Sequence, residues 1–228
     1  MSPEDSVRSD DGLILYDYWR STAAYRVRIV LNLKGLEYTQ RPVNLVKAGG
    51  EQHSEAYKKL NPQGLVPALV HNNIVITQSF AICEYLDSVF PQYALFPDDP
   101  YRKSLAQAMA LTVACDIHPL NNLRVQQYLK GQLSVSSQDA VTWMHHWMLL
   151  GFESIEAQLQ AADLKGKCCL GDQPGIVDCF LIPQVYNAER FDCDLSRFPA
   201  IRSISAYCNT LPAFIAAMPA NQADVPAD

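Results

Sequence analysis

Residues 13–89 alternate short apolar runs with helical periodicity in an order that few small folds accept. Leu13 to Tyr16 is an apolar run, and Ala23, Ala24, Val27, Val30 and Leu31 then share one helical face before a stop at Gly35. Tyr38 to Leu45 alternates as a second strand. After a short helix come Leu65 to Val70 and Ile74 to Thr77, two strands split by the turn pair Asn72-Asn73. Ser79 is the expected N-cap of a helix running to about Val89.

The order β-α-β-(short helix)-β-β-α predicts a thioredoxin-like α/β domain over 12–92. The turn-rich stretch from Phe90-Pro91 to Pro97-Asp98-Asp99-Pro100 reads as a linker. Helical periodicity over 101–130, 138–161, 176–188 and 199–209 then predicts an all-helical domain over 100–218, so the fold class is α/β plus all-α. From Pro219 onward the small and polar composition reads as a disordered tail.

Hydrophobic residues make up 49% and charged residues 18% of the 228, which excludes a disordered or low-complexity chain. A net charge of -6 disfavours nucleic acid and acidic membranes, which attract a positive field. No apolar run approaches the roughly 18 residues of a membrane span, and Met1 to Gly12 is acidic and polar, so the expected location is the cytoplasm. The seven cysteines include no CxxC pair, which suggests buried thiols and neither a disulfide framework nor a metal site. His145-His146 with Trp143 and Trp147 reads as packing and surface, His53 and His71 as loop surface, and Arg26 and Arg28 as a solvated or salt-bridged helix face.

Ser21-Thr22-Ala23-Ala24 opens the first helix directly after the first strand, where free N–H groups and the helix dipole stabilise a thiolate. A redox protein of this architecture carries CxxC there; this chain supplies hydroxyls and no sulfur, so any thiolate handled here comes from a ligand. On this segment alone an N-cap is the simpler reading of Ser21. Two further features shift the balance. In Asn61-Pro62-Gln63-Gly64-Leu65-Val66-Pro67 a cis bond before Pro67 would offer the backbone of Val66 to an extended peptide. Gln78-Ser79 combines an amide, a hydroxyl and helix N–H groups, a receptor for an α-carboxylate.

The chain resembles the zeta class of glutathione transferases over Leu13 to Pro212. The likeness rests on Tyr18-Trp19-Arg20-Ser21-Thr22-Ala23-Ala24-Tyr25-Arg26-Val27-Arg28-Ile29, on Leu60-Asn61-Pro62 with Leu65-Val66-Pro67, and on Gln78-Ser79 followed by Ile82-Cys83-Glu84-Tyr85-Leu86. It extends through Asp116-Ile117-His118-Pro119-Leu120-Asn121-Asn122-Leu123 and Val185-Tyr186-Asn187-Ala188-Glu189-Arg190-Phe191. The resemblance implies glutathione as cofactor, with Ser21, and Thr22 beside it, at the thiolate. It places Val66, Gln78, Ser79 and Gln52 along the tripeptide, and has His118, Asn122 and Arg124 close over it. Arg20 and Arg190 would take the carboxylates of a small dicarboxylate substrate, and the protein would be a homodimer.

The implied reaction is cis–trans isomerisation of maleylacetoacetate in phenylalanine and tyrosine breakdown. Alternatives are isomerisation of maleylpyruvate, conjugation of α-haloacids, and a binding module without catalysis. Two departures stand out. Ala23 occupies a position where the class commonly has cysteine, and Gly175 stands where its helix-capping box commonly has Ser or Thr, leaving a helix slightly weakened. His118-Pro119 matches the maleylpyruvate-type enzymes, but Leu123 follows Asn122 where they carry arginine.

Overall fold

The computed structural model describes residues 12–161 and 166–226. Two compact units divide the chain, one of residues 1–92 with 216–228 and the other of residues 93–215.

The first unit is built on strands β1 (Leu13–Asp17), β2 (Tyr38–Pro42), β3 (Ala68–His71) and β4 (Ile74–Thr77), with helices α1 (Thr22–Leu33), α2 (Glu55–Leu60) and α3 (Ser79–Val89). The sheet order is β2-β1-β3-β4. β1 runs parallel to β2, while β1–β3 and β3–β4 are antiparallel. Both β2 and β3 are shorter than their apolar runs suggest. Pro42 ends one, and Pro67, which has no N–H for a ladder, delays the other. Asn72 and Asn73 both have positive φ, 49° and 61°, the conformation that closes a two-residue hairpin.

Every residue from Thr22 to Leu31 on α1 is buried, including Arg26 and Arg28. Of the solvated or salt-bridged face expected for them, the salt-bridged reading holds for Arg28 and neither side chain is solvated, because both cations have internal partners. Arg28 pairs with Asp17 at 2.9 Å, both side chains fully buried, and Arg26 Nη1 donates to Ser79 Oγ at 3.1 Å. His71 is likewise no loop residue; it ends β3 and its Nδ1 lies 2.8 Å from the Tyr85 hydroxyl. His53 is exposed.

The tail also departs from expectation. Pro219–Asn221 forms a 3-10 turn, Gln222 is buried, and Asp224 Oδ2 accepts from the Trp19 backbone N–H at 3.0 Å. A polar tail orders when its polar groups find partners, and these lie far away in sequence.

The second unit is helical: α4 (Pro100–Leu111), α5 (Leu123–Gly131), α6 (Ser137–Ala161), α7 (Ile176–Arg190), α8 (Pro199–Cys208) and α9 (Pro212–Ala217), the last reaching into the segment that belongs to the first unit. The periodicity over 101–130 is not one helix. A π turn over Thr112–Ile117 and a 3-10 turn over His118–Asn121 break it, and Asn122 caps a fresh helix by accepting from Arg124 N at 3.1 Å. α8 has no cap of its own; the buried Glu156 on α6 accepts from Ala200 N and Ile201 N at 2.9 and 3.0 Å.

Gly175 caps α7 without a side chain. A β-carbon there would lie 2.9 Å from the Leu95 carbonyl oxygen, which accepts from Ile176 N at 3.0 Å, so close approach explains the glycine. Asp178 supplies the rest of the cap, accepting from Gly175 N and Cys169 N, each at 2.9 Å. Among the described residues no helix is long and apolar enough to cross a membrane.

Candidate functional site

In the first unit the ladder brings the sequence-selected residues to one end of the sheet. Tyr16 pairs with Ala68, and Ala68 with Thr77. The exit of β1, the entrance of β3 and the exit of β4 therefore coincide, and with them Ser21, Val66 and Gln78-Ser79. Helices α1 and α3 both present their N-terminal N–H groups there.

Ser21 is the N-cap of α1, half-buried, and its Oγ accepts from Ala24 N at 3.2 Å. The cap reading and the functional reading are compatible, since an accepting hydroxyl still has a proton to donate. Thr22, the first helical residue, is 6% exposed. Arg20 is exposed, its guanidinium carbon 5.0 Å from the centre of the Trp19 ring.

Val66 precedes β3, so its backbone stands outside the ladder, and the Val66-Pro67 bond is cis. The turn before it is pinned by Tyr57 and Asn61, neither of them among the residues expected at the site. The Tyr57 hydroxyl and Asn61 Nδ2 both donate to Leu65 O, at 2.8 and 2.7 Å, and Asn61 Oδ1 accepts from Gln63 N at 3.1 Å. The Asn-Pro-Gln-Gly turn was the available signal. Gly64 is required there: its φ is +61° and a β-carbon would meet Gln52 O at 3.0 Å. Burial pushes the Tyr57 phenol well above its ordinary value, so it stays a donor.

Gln52 is buried, its Nε2 reaches Leu45 O at 3.4 Å, and among the described residues its Oε1 has no hydrogen-bond partner. A buried acceptor left unpaired costs about 1–3 kcal/mol, which a donor on a ligand would recover. Gln78 caps α3 in place of the expected Ser79, with φ 70° and ψ 117°. A glutamine held in that region costs on the order of 1–3 kcal/mol, strain of a kind that clusters at ligand sites. Its Nε2 donates to Gln63 Oε1 at 2.8 Å. Ser79 is buried with Oγ accepting from Arg26, which leaves its proton for another acceptor.

In the second unit, His118 and Asn122 meet, with Nε2 and Nδ2 3.4 Å apart, while Arg124 is exposed. Arg190 ends α7; its Nη2 donates to Asn187 Oδ1 at 3.3 Å and its guanidinium carbon lies 4.5 Å from the centre of the Phe191 ring. Asn187 in turn donates to the buried Asn121 at 3.4 Å, so the His118–Asn122 segment and Arg190 share one polar network. His145 is tied to Phe191 O at 2.7 Å, and His146 stacks edge-on to Trp147 at 4.9 Å.

The structure brings together one group that spacing hid. Ligand atoms of Cys168, Asp178 and Cys208 lie within 4.8 Å of one another, all buried. Burial raises the Asp178 carboxyl above its ordinary value, and contact with Cys168 and burial raise the Cys208 thiol. Both Asp178 carboxylate oxygens are engaged by backbone N–H groups, and the Cys208 thiol also reaches Oδ1 at 3.8 Å, so the cluster forms a buried floor beneath the α7 cap.

Residues 11–88 match the family model described as Glutathione S-transferase, N-terminal domain. A Vibrio cholerae protein named probable maleylacetoacetate isomerase is 47% identical over 212 residues, covering 93% of this chain and 98% of that one. A solved holo structure of a maleylpyruvate isomerase, described as a bacterial zeta-class glutathione S-transferase, superposes with a TM-score of 0.91 at 42% identity, covering 93% of this chain and all of that one. A maleylacetoacetate isomerase from Methylobacterium extorquens AM1, solved with malonate and glutathione bound, gives 0.89 at 33% identity, covering 94% and 100%. Likeness this extensive in sequence and in fold, across both units, makes the chain a member of the zeta class of the glutathione transferase family.

Proposed function

We propose that the protein is a glutathione-dependent cis–trans isomerase acting on maleylacetoacetate. The observation that carries this reading is the half-buried Ser21 hydroxyl at the opening of α1, at the same end of the sheet as the Gln78-Ser79 opening of α3. The residues fit glutathione group by group. Ser21 and the α1 N–H groups suit a thiolate, the Val66 backbone suits the cysteinyl peptide, and Ser79 with the α3 N–H groups suits the γ-glutamyl carboxylate. The unpaired Gln52 Oε1 accepts from a ligand N–H.

Bound glutathione supplies a thiolate that adds to the cis alkene, leaving a single bond free to rotate, and departs unchanged once the trans alkene re-forms. The chain's own residues do the rest. Ser21 donates its proton to the sulfur and, with the helix dipole, holds the thiol ionised; a helix start lowers a thiol pKa by about a unit or more. Ser21 is the residue assigned this role, since the buried Thr22 has less access. Arg190 and Arg20 hold the substrate carboxylates. His118, Asn122 and Arg124 supply donors for the substrate end of glutathione and for charge developing on the substrate carbonyl. The working form is a cytoplasmic homodimer.

The test is side-by-side assay of maleylacetoacetate and maleylpyruvate, each with and without glutathione. The expected result is glutathione-dependent turnover faster on maleylacetoacetate. The reverse preference assigns the protein to maleylpyruvate, which His118-Pro119 favours and Leu123 does not. Unchanged turnover in both Ser21→Ala and Thr22→Ala would remove the helix start from the mechanism.

A further inference from the structure

The Tyr18–Arg20 turn that delivers Ser21 to the opening of α1 is held from behind by the C-terminal segment. The Trp19 N–H donates to Asp224 Oδ2 at 3.0 Å across 205 positions of sequence. The Trp19 carbonyl accepts from Arg28 Nη2 at 3.0 Å, and Ser21 N donates to Tyr18 O at 2.9 Å. Arg28 is itself fixed at every nitrogen: Nη1 to Asp17 at 2.9 Å and Nε to the Ala217 carbonyl at 3.1 Å.

Gln222 folds the segment onto itself and onto the sheet. Its Nε2 donates to Ala216 O and Met218 O at 2.9 and 2.8 Å, and its Oε1 accepts from Gln40 Nε2 at 3.3 Å. Gln40 also donates to both oxygens of Asp17, at 3.1 and 3.0 Å. One buried guanidinium thus joins the end of β1, the turn before Ser21 and the returning tail. Asp17 pairs with it directly, and Asp224 reaches the same turn through the Trp19 N–H. Burial raises the Asp17 carboxyl above its ordinary value against the pull of Arg28 and Gln40, and the charge of Asp224 adds slightly to the rise.

We propose that Asp224 and Gln222 are positioning residues for the Ser21 hydroxyl: the 216–224 segment is a strap that fixes the turn before α1, so that the thiolate site depends on residues at the other end of the chain. The proposal rests on the assignment of Ser21 above. Trp19 is two positions from Ser21, and its peptide is clamped on one side by Asp224 and on the other by Arg28. Neither strap residue is proposed to touch glutathione, so its influence runs through backbone placement. A hydroxyl displaced by a fraction of an ångström weakens a hydrogen bond to sulfur steeply.

The experiment titrates the thiol of bound glutathione by its ultraviolet thiolate absorbance in the full-length protein, alongside KM for glutathione and kcat. Ser21→Ala is the reference and is expected to raise the thiol pKa. Asp224→Ala is expected to raise it in the same direction by about half a unit and to lower kcat/KM for glutathione about tenfold, the scale of one charge-assisted hydrogen bond. Asp224→Asn keeps an acceptor for Trp19 N and is expected to stay near the native value. Gln222→Ala, which loosens the strap without touching the turn, shifts the same way as Asp224→Ala and carries the test if Asp224→Ala does not fold. In a Ser21→Ala background Asp224→Ala adds no further shift.

A change in melting temperature with no change in thiol pKa overturns the proposal, as does an Asn variant as impaired as the Ala variant. If Ser21→Ala itself leaves the thiol pKa unchanged, the fault lies in the assignment of Ser21.

Discussion

The guanidinium of Arg26, buried in the middle of α1, donates to the hydroxyl of Ser79 at the first turn of α3, 3.1 Å away. A cation is thereby carried to the helix opening assigned to the γ-glutamyl carboxylate, and a serine that looks like a cap becomes a relay between two helices. Ser79→Ala is expected to cost about 1.5–3 kcal/mol of stability, the range for a hydrogen bond to a charged group. It should also raise KM for glutathione without lowering kcat to the same degree. Denaturant unfolding and initial-rate kinetics check both; an unchanged KM would confine Ser79 to structure.

Gly151 on α6 faces the residue that leads into the His118 turn. A β-carbon at this position would come within 2.2 Å of Ile117 Cγ1, and Ile117 is fully buried. Gly151→Ala is therefore expected to destabilise the protein by about 1–3 kcal/mol despite the better helix propensity of alanine. A melting temperature at or above that of the native chain would show that Ile117 can move aside.

Local pattern made much of the first unit legible. The strands, the Asn72-Asn73 hairpin and the Ser21 cap each depend on residues a few positions apart, and the structure places them as their neighbours dictate. What the sequence concealed was long-range. Whether Arg26 and Arg28 are solvated or paired is undecided in the sequence because their partners, Ser79, Asp17 and Ala217, are identifiable only in the folded chain. Gln222 and Asp224 look like a solvated tail for the same reason. Cys168 and Cys208 gave no signal, being brought together by packing of α8 rather than by spacing. The break at 112–121 was also hidden, because a π turn keeps near-helical periodicity.

The same burial fixes cysteine reactivity. Of the seven thiols Cys115 alone is exposed. Burial pushes Cys83 up to about 12 and raises Cys169 and Cys193 as well, so these thiols stay protonated at neutral pH. Alkylation of the native protein followed by peptide mass spectrometry is expected to find one adduct, at Cys115, and seven after denaturation. Native labelling at Cys168 or Cys208 would mean that the floor beneath α7 opens.

Asp17 gives a pH dependence whose sign is set by burial. Desolvation raises its carboxyl above 3.8 even though Arg28 and Gln40 pull the other way. A carboxyl raised in the folded state adds stability that is fully present below its unfolded pKa and is lost as pH rises through the folded value. Asp17→Asn cannot titrate there. The melting-temperature difference, native minus Asp17→Asn, is expected to increase as pH falls from neutral toward 3.8. A difference that shrinks instead would mean that the ion pair with Arg28 outweighs desolvation.

Substrate affinity should respond to a residue that has no place on the substrate. Asn187 is 5% exposed, accepts from Arg190 at 3.3 Å and donates to Asn121 at 3.4 Å, so its carboxamide is oriented with oxygen toward the guanidinium. Asn187→Asp keeps the shape but sets a carboxylate against Arg190, where it would compete with the substrate carboxylate proposed for that arginine and face Asn121 without a proton to donate. The expected outcome is a KM for the dicarboxylate raised about tenfold, with KM for glutathione unchanged. In an Arg190→Ala background the same substitution should have little further effect, because the cation it competes for is gone. An effect of equal size in both backgrounds would mean that Asn187 acts on the His118–Asn122 segment through Asn121 rather than on the arginine.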